Sequence, residues 1–202
     1  VRNTLETCAQ LFDRFYQDVE RRTRAETKIK ASWNKLPIAV RVEISIMLAE
    51  SALAHSDSSN ALRVVDEAKA AIDAAKWRLE DRTPLVARLA ELRFKAGDKL
   101  KARAEIDAAL KLFEVERSQV VDIYRAATLR PIAEAYQVMG DSAVALSTYR
   151  AAVEAGVENP NSRPRAEDLS ATCASMALHA VEPDAALRAR LAQIHAALGD
   201  PW

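Results

Sequence analysis

Apolar side chains recur every three to four residues through most of the chain, which is the period of an amphipathic helix. The clearest case is the segment 89–110, LAELRFKAGDKLKARAEIDAAL, where Gly97-Asp98 separates two such stretches. Gly readily adopts the left-handed backbone conformation that ends a helix, and Asp caps the helix that follows. This segment therefore predicts two antiparallel helices joined by a sharp turn.

Turn-forming residues divide the rest of the chain in a similar way. Residues 1–34 carry one long helical pattern, which ends before Pro37 because proline disfavours helix in the residue before it. Pro160 and Pro164 indicate a loop over residues 156–165. Alternating runs of β-branched and aromatic residues are missing, so we expect an all-α fold with about nine helices. Four turns share one form, at Ser56-Asp57, Gly97-Asp98, Gly140-Asp141 and Gly199-Asp200.

The residues around these four turns also correspond. A large and a small apolar residue stand eight and seven positions before each turn, at Leu48-Ala49, Leu89-Ala90, Ile132-Ala133 and Leu191-Ala192. A small residue stands five positions after the first turn position, at Ala61, Ala102 and Ala145. Small side chains let two antiparallel helices approach closely, and stacking of neighbouring pairs would then complete the core.

These offsets resemble the tetratricopeptide repeat (TPR) family. The resemblance implies a TPR-like α-solenoid, a right-handed superhelix of antiparallel helix pairs. The residues that carry it are Leu89, Ala90, Gly97, Asp98, Ala102, Ile106, Ala109 and Leu110, and in the next unit Ile132, Ala133, Tyr136, Gly140, Asp141, Ala145, Tyr149 and Ala152.

The resemblance divides a single domain, 1–202, into repeat units. An N-terminal long helix (1–37) precedes the units 38–80, 81–117 and 118–156, and C-terminal helices follow over 157–202. The turns are 41, 43 and 59 residues apart, against about 34 for the standard repeat. We therefore expect longer helices, and an additional or kinked helix in the last interval.

Charge and composition exclude some classes of function. The chain has 29 basic and 29 acidic residues, which argues against a general nucleic-acid or membrane-surface binder. No apolar run approaches the roughly 20 residues of a membrane span. Cys8 and Cys173 are expected to be buried small hydrophobes and not a disulfide. The basic residues near the N-terminus form either an anion-contact site or a solvated helix face; they are Arg21, Arg22, Arg24, Lys28 and Lys30.

No local motif indicates catalysis or a cofactor. His55, His179 and His195 each lack a second His or Cys at metal-ligand spacing. The sequence has no glycine-rich phosphate loop and no nucleophile elbow. We therefore expect neither enzymatic activity nor a cofactor, although distant residues can still converge in space.

The resemblance also implies where a partner would bind. In similar proteins the first helix of each pair lines a concave groove, and the residue after the small Ala faces it. Members that bind chaperone tails carry Asn and Lys or Arg there, whereas this chain carries Glu. The candidate partner-binding residues are Glu50, Leu53, Glu91, Phe94, Arg130, Glu134 and Gln137.

Two functions follow from this pattern. We expect a non-catalytic protein–protein interaction scaffold that holds a partner segment with basic and apolar residues in the groove. The alternative interpretation of the glutamates is a solvated helix face that pairs with nearby Lys or Arg. The alternative function is a small-ligand-sensing regulatory helical domain of a larger protein, which a closed apolar pocket would favour.

Overall fold

The computed structural model describes residues 2–197 and is helical throughout, with no strand among these residues. The all-α prediction is confirmed. Ten α-helices are present in the described part of the chain. They are α1 (Arg2–Arg14), α2 (Val19–Ala31), α3 (Ile38–Ala54), α4 (Ser58–Asp73), α5 (Leu79–Lys95), α6 (Lys99–Glu116), α7 (Asp122–Val138), α8 (Ser142–Val157), α9 (Ser162–Leu178) and α10 (Ala185–Ala197).

The chain divides into two compact units. Unit 1 contains the residues up to Lys76 together with Arg88–Arg103. Unit 2 contains Trp77–Ala87 and the residues from Ala104 on. The single domain that we expected over 1–202 stays a prediction.

The predicted N-terminal long helix is wrong, because the structure breaks it into α1 and α2. The backbone turns over residues 15–17, and the carboxylate of Asp18 caps α2 by accepting a hydrogen bond from the N–H of Arg21 at 3.1 Å. The two helices then contact each other, which buries Phe12 and Ile29 completely. Val19, which fits the apolar stripe of one continuous helix, is instead the first residue of α2 and is 64% exposed.

Three turns between later helices share one hydrogen-bond pattern. At Gly97 the φ angle is +104°, and the next N–H, of Asp98, bonds to the carbonyl of Arg93 at 3.2 Å. Gly140 at φ +81° and Ser56 at φ +60° have the same pattern. This is the Schellman arrangement, with a left-handed residue just after the helix. The left-handed conformation was predicted at the glycine that ends a helix but not at Ser56.

A fourth turn of this kind lies at Ala180, where φ is +52°. The N–H of Val181 bonds to the carbonyl of Met176 at 2.8 Å, as in the other three. Ala180 follows Gly140 by 40 residues, so the long last interval read from the sequence contains a further turn together with the additional helix that we expected. The turn predicted at Gly199-Asp200 lies outside the described residues, and Leu191-Ala192 lie on α10, the second helix of a pair.

The loop predicted over 156–165 is shorter than expected. Helix α8 continues to Val157, and α9 begins at Ser162 with Pro164 in its first turn. Proline is tolerated there because the first N–H groups of a helix have no intrahelical acceptor.

Within each unit, the first helix of one pair lies beside the first helix of the next pair. In unit 1 the second helices are also neighbours. In unit 1 the hydroxyl of Ser51 on α3 donates to Asp13 on α1 at 2.7 Å, and Arg63 on α4 pairs with Glu26 on α2 at 2.8 Å. In unit 2 α7 contacts α9 and α8 contacts α9. One buried cluster joins α7 to α10, and its members are Ala133, Tyr149, Val153, Leu169, Met176, Val181, Leu187 and Ile194.

A membrane-spanning helix is not found, since none of the described helices combines sufficient length with sufficient apolarity to cross a bilayer.

Candidate functional site

The seven predicted partner-binding residues all lie on first helices of the helix pairs. Glu50 and Leu53 are on α3, and Glu91 and Phe94 are on α5. All four belong to unit 1. The remaining three belong to α7 in unit 2; they are Arg130, Glu134 and Gln137.

Glu50 is a partly exposed carboxylate of this row. It forms an ion pair with Arg88, which lies on α5. The side chains of Glu50 and Arg88 are 39% and 48% exposed. Leu53, one helical turn further along α3, is half-buried. The pair joins two neighbouring first helices at the surface, where an ion pair contributes about 0–1 kcal/mol.

Glu91 and Phe94 are less available than the sequence suggests. Glu91 is 8% exposed, and Lys95 lies 2.5 Å from its carboxylate. Phe94 is half-buried, and the Lys99 ammonium lies 5.4 Å from the centre of its ring. These two residues are therefore largely engaged within their own helix pair.

In unit 2 the predicted residues bridge α7 and α9. Arg130 pairs with Asp168 at 3.2 Å. The carboxylate of Glu134 accepts a hydrogen bond from the hydroxyl of Ser175 at 2.5 Å. The hydroxyl of Tyr149 lies 2.7 Å from the same Ser175 oxygen. Burial raises the pKa of Tyr149 to about 12, so the network stays protonated at the phenol near neutral pH.

Gln137 differs from its neighbours in the row. Its amide oxygen Oε1 is buried and accepts no hydrogen bond from the described residues. A buried carbonyl without a donor costs about 1–3 kcal/mol. A hydrogen-bond donor that reached the Oε1 atom of Gln137 would therefore be stabilising.

A groove that the sequence interpretation did not single out lies between α1 and α2. We call it the N-terminal groove; Cys8, Leu11, Phe15, Arg21, Arg24, Ala25 and Lys28 line it. The sequence does show the helical spacing of Cys8, Leu11 and Phe15. A single long helix, as predicted, has no second helix beside these residues and therefore no groove. Cys8 is half-buried and Cys173 is exposed, so the prediction that both are buried is wrong.

A wider cleft of about 660 Å³ lies in unit 2, where the start of α5 meets the end of α6. Its lining is mixed, with aromatic, aliphatic and charged side chains. These include Trp77, Arg78, Arg82, Leu112, Glu116 and Val121.

The groupings of interest in the described residues are metal-ligand clusters and trios that resemble a catalytic triad. No group of three or more His, Cys, Asp or Glu side chains there is placed to hold a metal ion. Ser51, His55 and Asp13 do come together, but Ser51 donates to Asp13 at 2.7 Å. His55 also contacts Asp13, at 3.2 Å. A nucleophilic serine must instead pass its proton to the histidine, so this trio does not have the geometry of a triad.

Comparison with known proteins gives no relative for this chain. No protein-family model matches it, and no curated protein or solved structure matches it either.

Proposed function

We propose that the chain is a non-catalytic scaffold for protein–protein interaction. In this proposal its helix pairs continue as a TPR-like right-handed superhelix, and a partner segment lies along the first helices. The supporting observation is the repeated position of the glutamates. Glu50, Glu91 and Glu134 each stand six residues before a left-handed turn residue, on three successive first helices.

The partner segment that fits this surface carries basic and apolar residues. Glu50 is the contact that a partner's Lys or Arg reaches most readily, because Glu50 and Arg88 are both partly exposed and an exposed ion pair contributes little. Leu53 supplies half-buried apolar surface beside it. Glu91 and Glu134 are bonded internally, so in this proposal they shape the surface more than they grip the partner.

Charge reversal at Glu50 tests the proposal. The probe is a peptide of alternating lysine and leucine, labelled for fluorescence anisotropy and titrated with the full chain. We expect Glu50→Lys to weaken binding by about tenfold, which corresponds to about 1.4 kcal/mol. The matched control is Glu114→Lys on α6, an exposed position with the same charge change.

Equal weakening by Glu50→Lys and Glu114→Lys would mean that net charge, not the proposed surface, controls binding. Tighter binding of the corresponding glutamate–leucine peptide at this site would reject the partner chemistry. Circular dichroism of both variants checks that they remain folded.

The cleft in unit 2 is where the alternative function, a small-ligand-sensing regulatory domain, would place its ligand, although its lining is mixed and is not the closed apolar pocket expected for that function. Its volume of about 660 Å³ is within the range of small-molecule sites. Trp77 lines it, so a bound ligand should change tryptophan fluorescence in the wild type but not in Trp77→Phe. Ligand-dependent quenching that survives Trp77→Phe would place the ligand elsewhere.

A further inference from the structure

Helix α1 and the turn that follows it carry two apolar stripes, and only one is covered. Leu5, Phe12 and Tyr16 form the first stripe and are at most 3% exposed. Cys8, Leu11 and Phe15 form the second, which lies along the N-terminal groove. Leu11 is 40% exposed. In stacked helix pairs an apolar face is normally covered by a neighbour, and no described residue of unit 1 fills this groove.

The rim of the N-terminal groove is basic. Arg21, Arg24 and Lys28 follow one another on the same side of α2, at the spacing that aligns residues along one helix face. Asp18 lies 3.3 Å from Arg21 and partly neutralises it. Arg24 and Lys28 form no ion pair with any residue that the structure describes.

The other two basic residues of this segment have structural roles. Arg22 donates to the backbone carbonyl of Tyr16 at 3.1 Å and lies over its ring at 4.5 Å. Lys30 pairs with Glu26 at 2.9 Å and with Glu67 at 3.0 Å. The structure therefore separates the five basic residues into two that hold helices together and three that face the groove.

We propose that the N-terminal groove docks an acidic amphipathic helix of a protein partner. The floor is apolar over a length of about 10 Å, from Cys8 to Phe15, which matches two helical turns. A partner helix would place apolar residues at i and i+3 or i+4 on this floor. Its Asp or Glu residues would then reach Arg24 and Lys28.

A protein helix fits the groove better than a lipid surface does. Its space of about 260 Å³ lies between two helices, whereas a membrane-bound helix buries apolar side chains that protrude from its face. The basic rim of the groove selects an acidic partner, whereas the surface formed by Glu50 and Leu53, which we call the Glu50 surface, selects a basic one. The docking proposal is therefore independent of the scaffold proposal, and each can fail alone.

The two cysteines make the test site-specific. Cys8 lines the groove, and Cys173 lies on α9 in unit 2. The probe is a short helical peptide with one leucine stripe flanked by glutamates. At saturating peptide we expect alkylation of Cys8 by N-ethylmaleimide, followed by mass spectrometry, to slow by about tenfold, as a site occupied about 90% of the time requires. Alkylation of Cys173 should be unchanged.

Charge-reversed variants complete the experiment. Arg24→Glu combined with Lys28→Glu should weaken binding of the labelled peptide by about tenfold or more, since two charge contacts become repulsive. The matched control, Lys76→Glu with Lys111→Glu, changes two exposed lysines outside the groove and should bind as the wild type does. Circular dichroism verifies the fold of both.

Three results would overturn the docking proposal. The first is failure of the acidic peptide to bind or to protect Cys8 in the wild type. The second is equal protection by the same peptide with lysines in place of glutamates. The third is protection of Cys8 by phosphatidylserine vesicles without protection by the peptide, which would assign the groove to a lipid surface.

Discussion

Asp57 joins several interactions through one carboxylate. It caps α4 by accepting a hydrogen bond from the N–H of Asn60 at 3.0 Å, and it accepts a second one at 2.8 Å from the hydroxyl of Tyr16, in the turn after α1. These two hydrogen bonds, with the backbone bond from Asn60 the stronger cause, hold the pKa of Asp57 below its usual 3.8. Asp57 therefore stabilises both a helix terminus and the contact of α1 with the next helix pair.

The lowered pKa of Asp57 predicts a pH dependence of stability. A carboxylate whose folded pKa is depressed contributes stability that is fully present above the unfolded pKa of 3.8 and is lost as pH falls through the folded value. Because an amide does not titrate, the Asp57→Asn variant should lose less unfolding free energy than the wild type between neutral pH and about pH 3. Urea unfolding at several pH values measures this.

Removal of the Asp57 cap should also lower the unfolding free energy at neutral pH. Asp57→Ala should cost about 1 kcal/mol or more, because it deletes the cap and leaves the Tyr16 hydroxyl without this acceptor. Glu114→Gln, at an exposed position of α6, is the control for loss of one carboxylate. Parallel pH profiles for the wild type and Asp57→Asn would show that Asp57 is not the titrating group.

Turns are the elements that the sequence predicted best where glycine precedes aspartate. Gly97 and Gly140 have the positive φ angles that this dipeptide indicates. The turn at Ala180 was missed because a left-handed alanine has no compositional signal. The break over residues 15–17 was missed for the same reason, since neither glycine nor proline stands there and only the Asp18 cap marks it.

The strained turn at Ala180 predicts a stabilising substitution. An L-residue with a side chain is unfavourable at a left-handed position, so Ala180→Gly should raise the unfolding free energy by about 0.5–1 kcal/mol. In the control Ala177→Gly, on α9 itself, the same exchange should lower it by about 0.5–1 kcal/mol. Thermal unfolding of the two variants compares them. A loss of stability in Ala180→Gly similar to that in Ala177→Gly would exclude the left-handed turn.

The sequence predicted which residues of the candidate surface lie on first helices, but not which side chains of the same chain they contact. Counting back from each turn places Glu50 and Glu134 on first helices, as the structure has them. Their partners, Arg88 and Ser175, come from the next pair, 38 and 41 residues further along the chain. Local periodicity carries no information about such pairs, and therefore the sequence could not distinguish an open carboxylate from an engaged one.

At the scale of the molecule, the same arrangement occurs in both units. First helices contact first helices, through Glu50 and Arg88 in unit 1 and through Arg130 and Asp168 in unit 2. Repetition of one contact mode is typical of proteins that use an extended surface for binding. Because the net charge of the chain is zero, selection of a charged partner has to come from local surfaces. The Glu50 surface is acidic and the N-terminal groove has a basic rim.

The scaffold proposal is tested most directly by locating a bound segment. The measurement is the change of backbone amide chemical shifts in the full ¹⁵N-labelled chain on titration with the lysine–leucine peptide. We expect saturable shifts at Glu50, Leu53 and Phe94 on first helices, with Val64 and Ala68 on α4 unchanged. Saturable shifts confined to second helices such as α4, or no shifts at all, would contradict it.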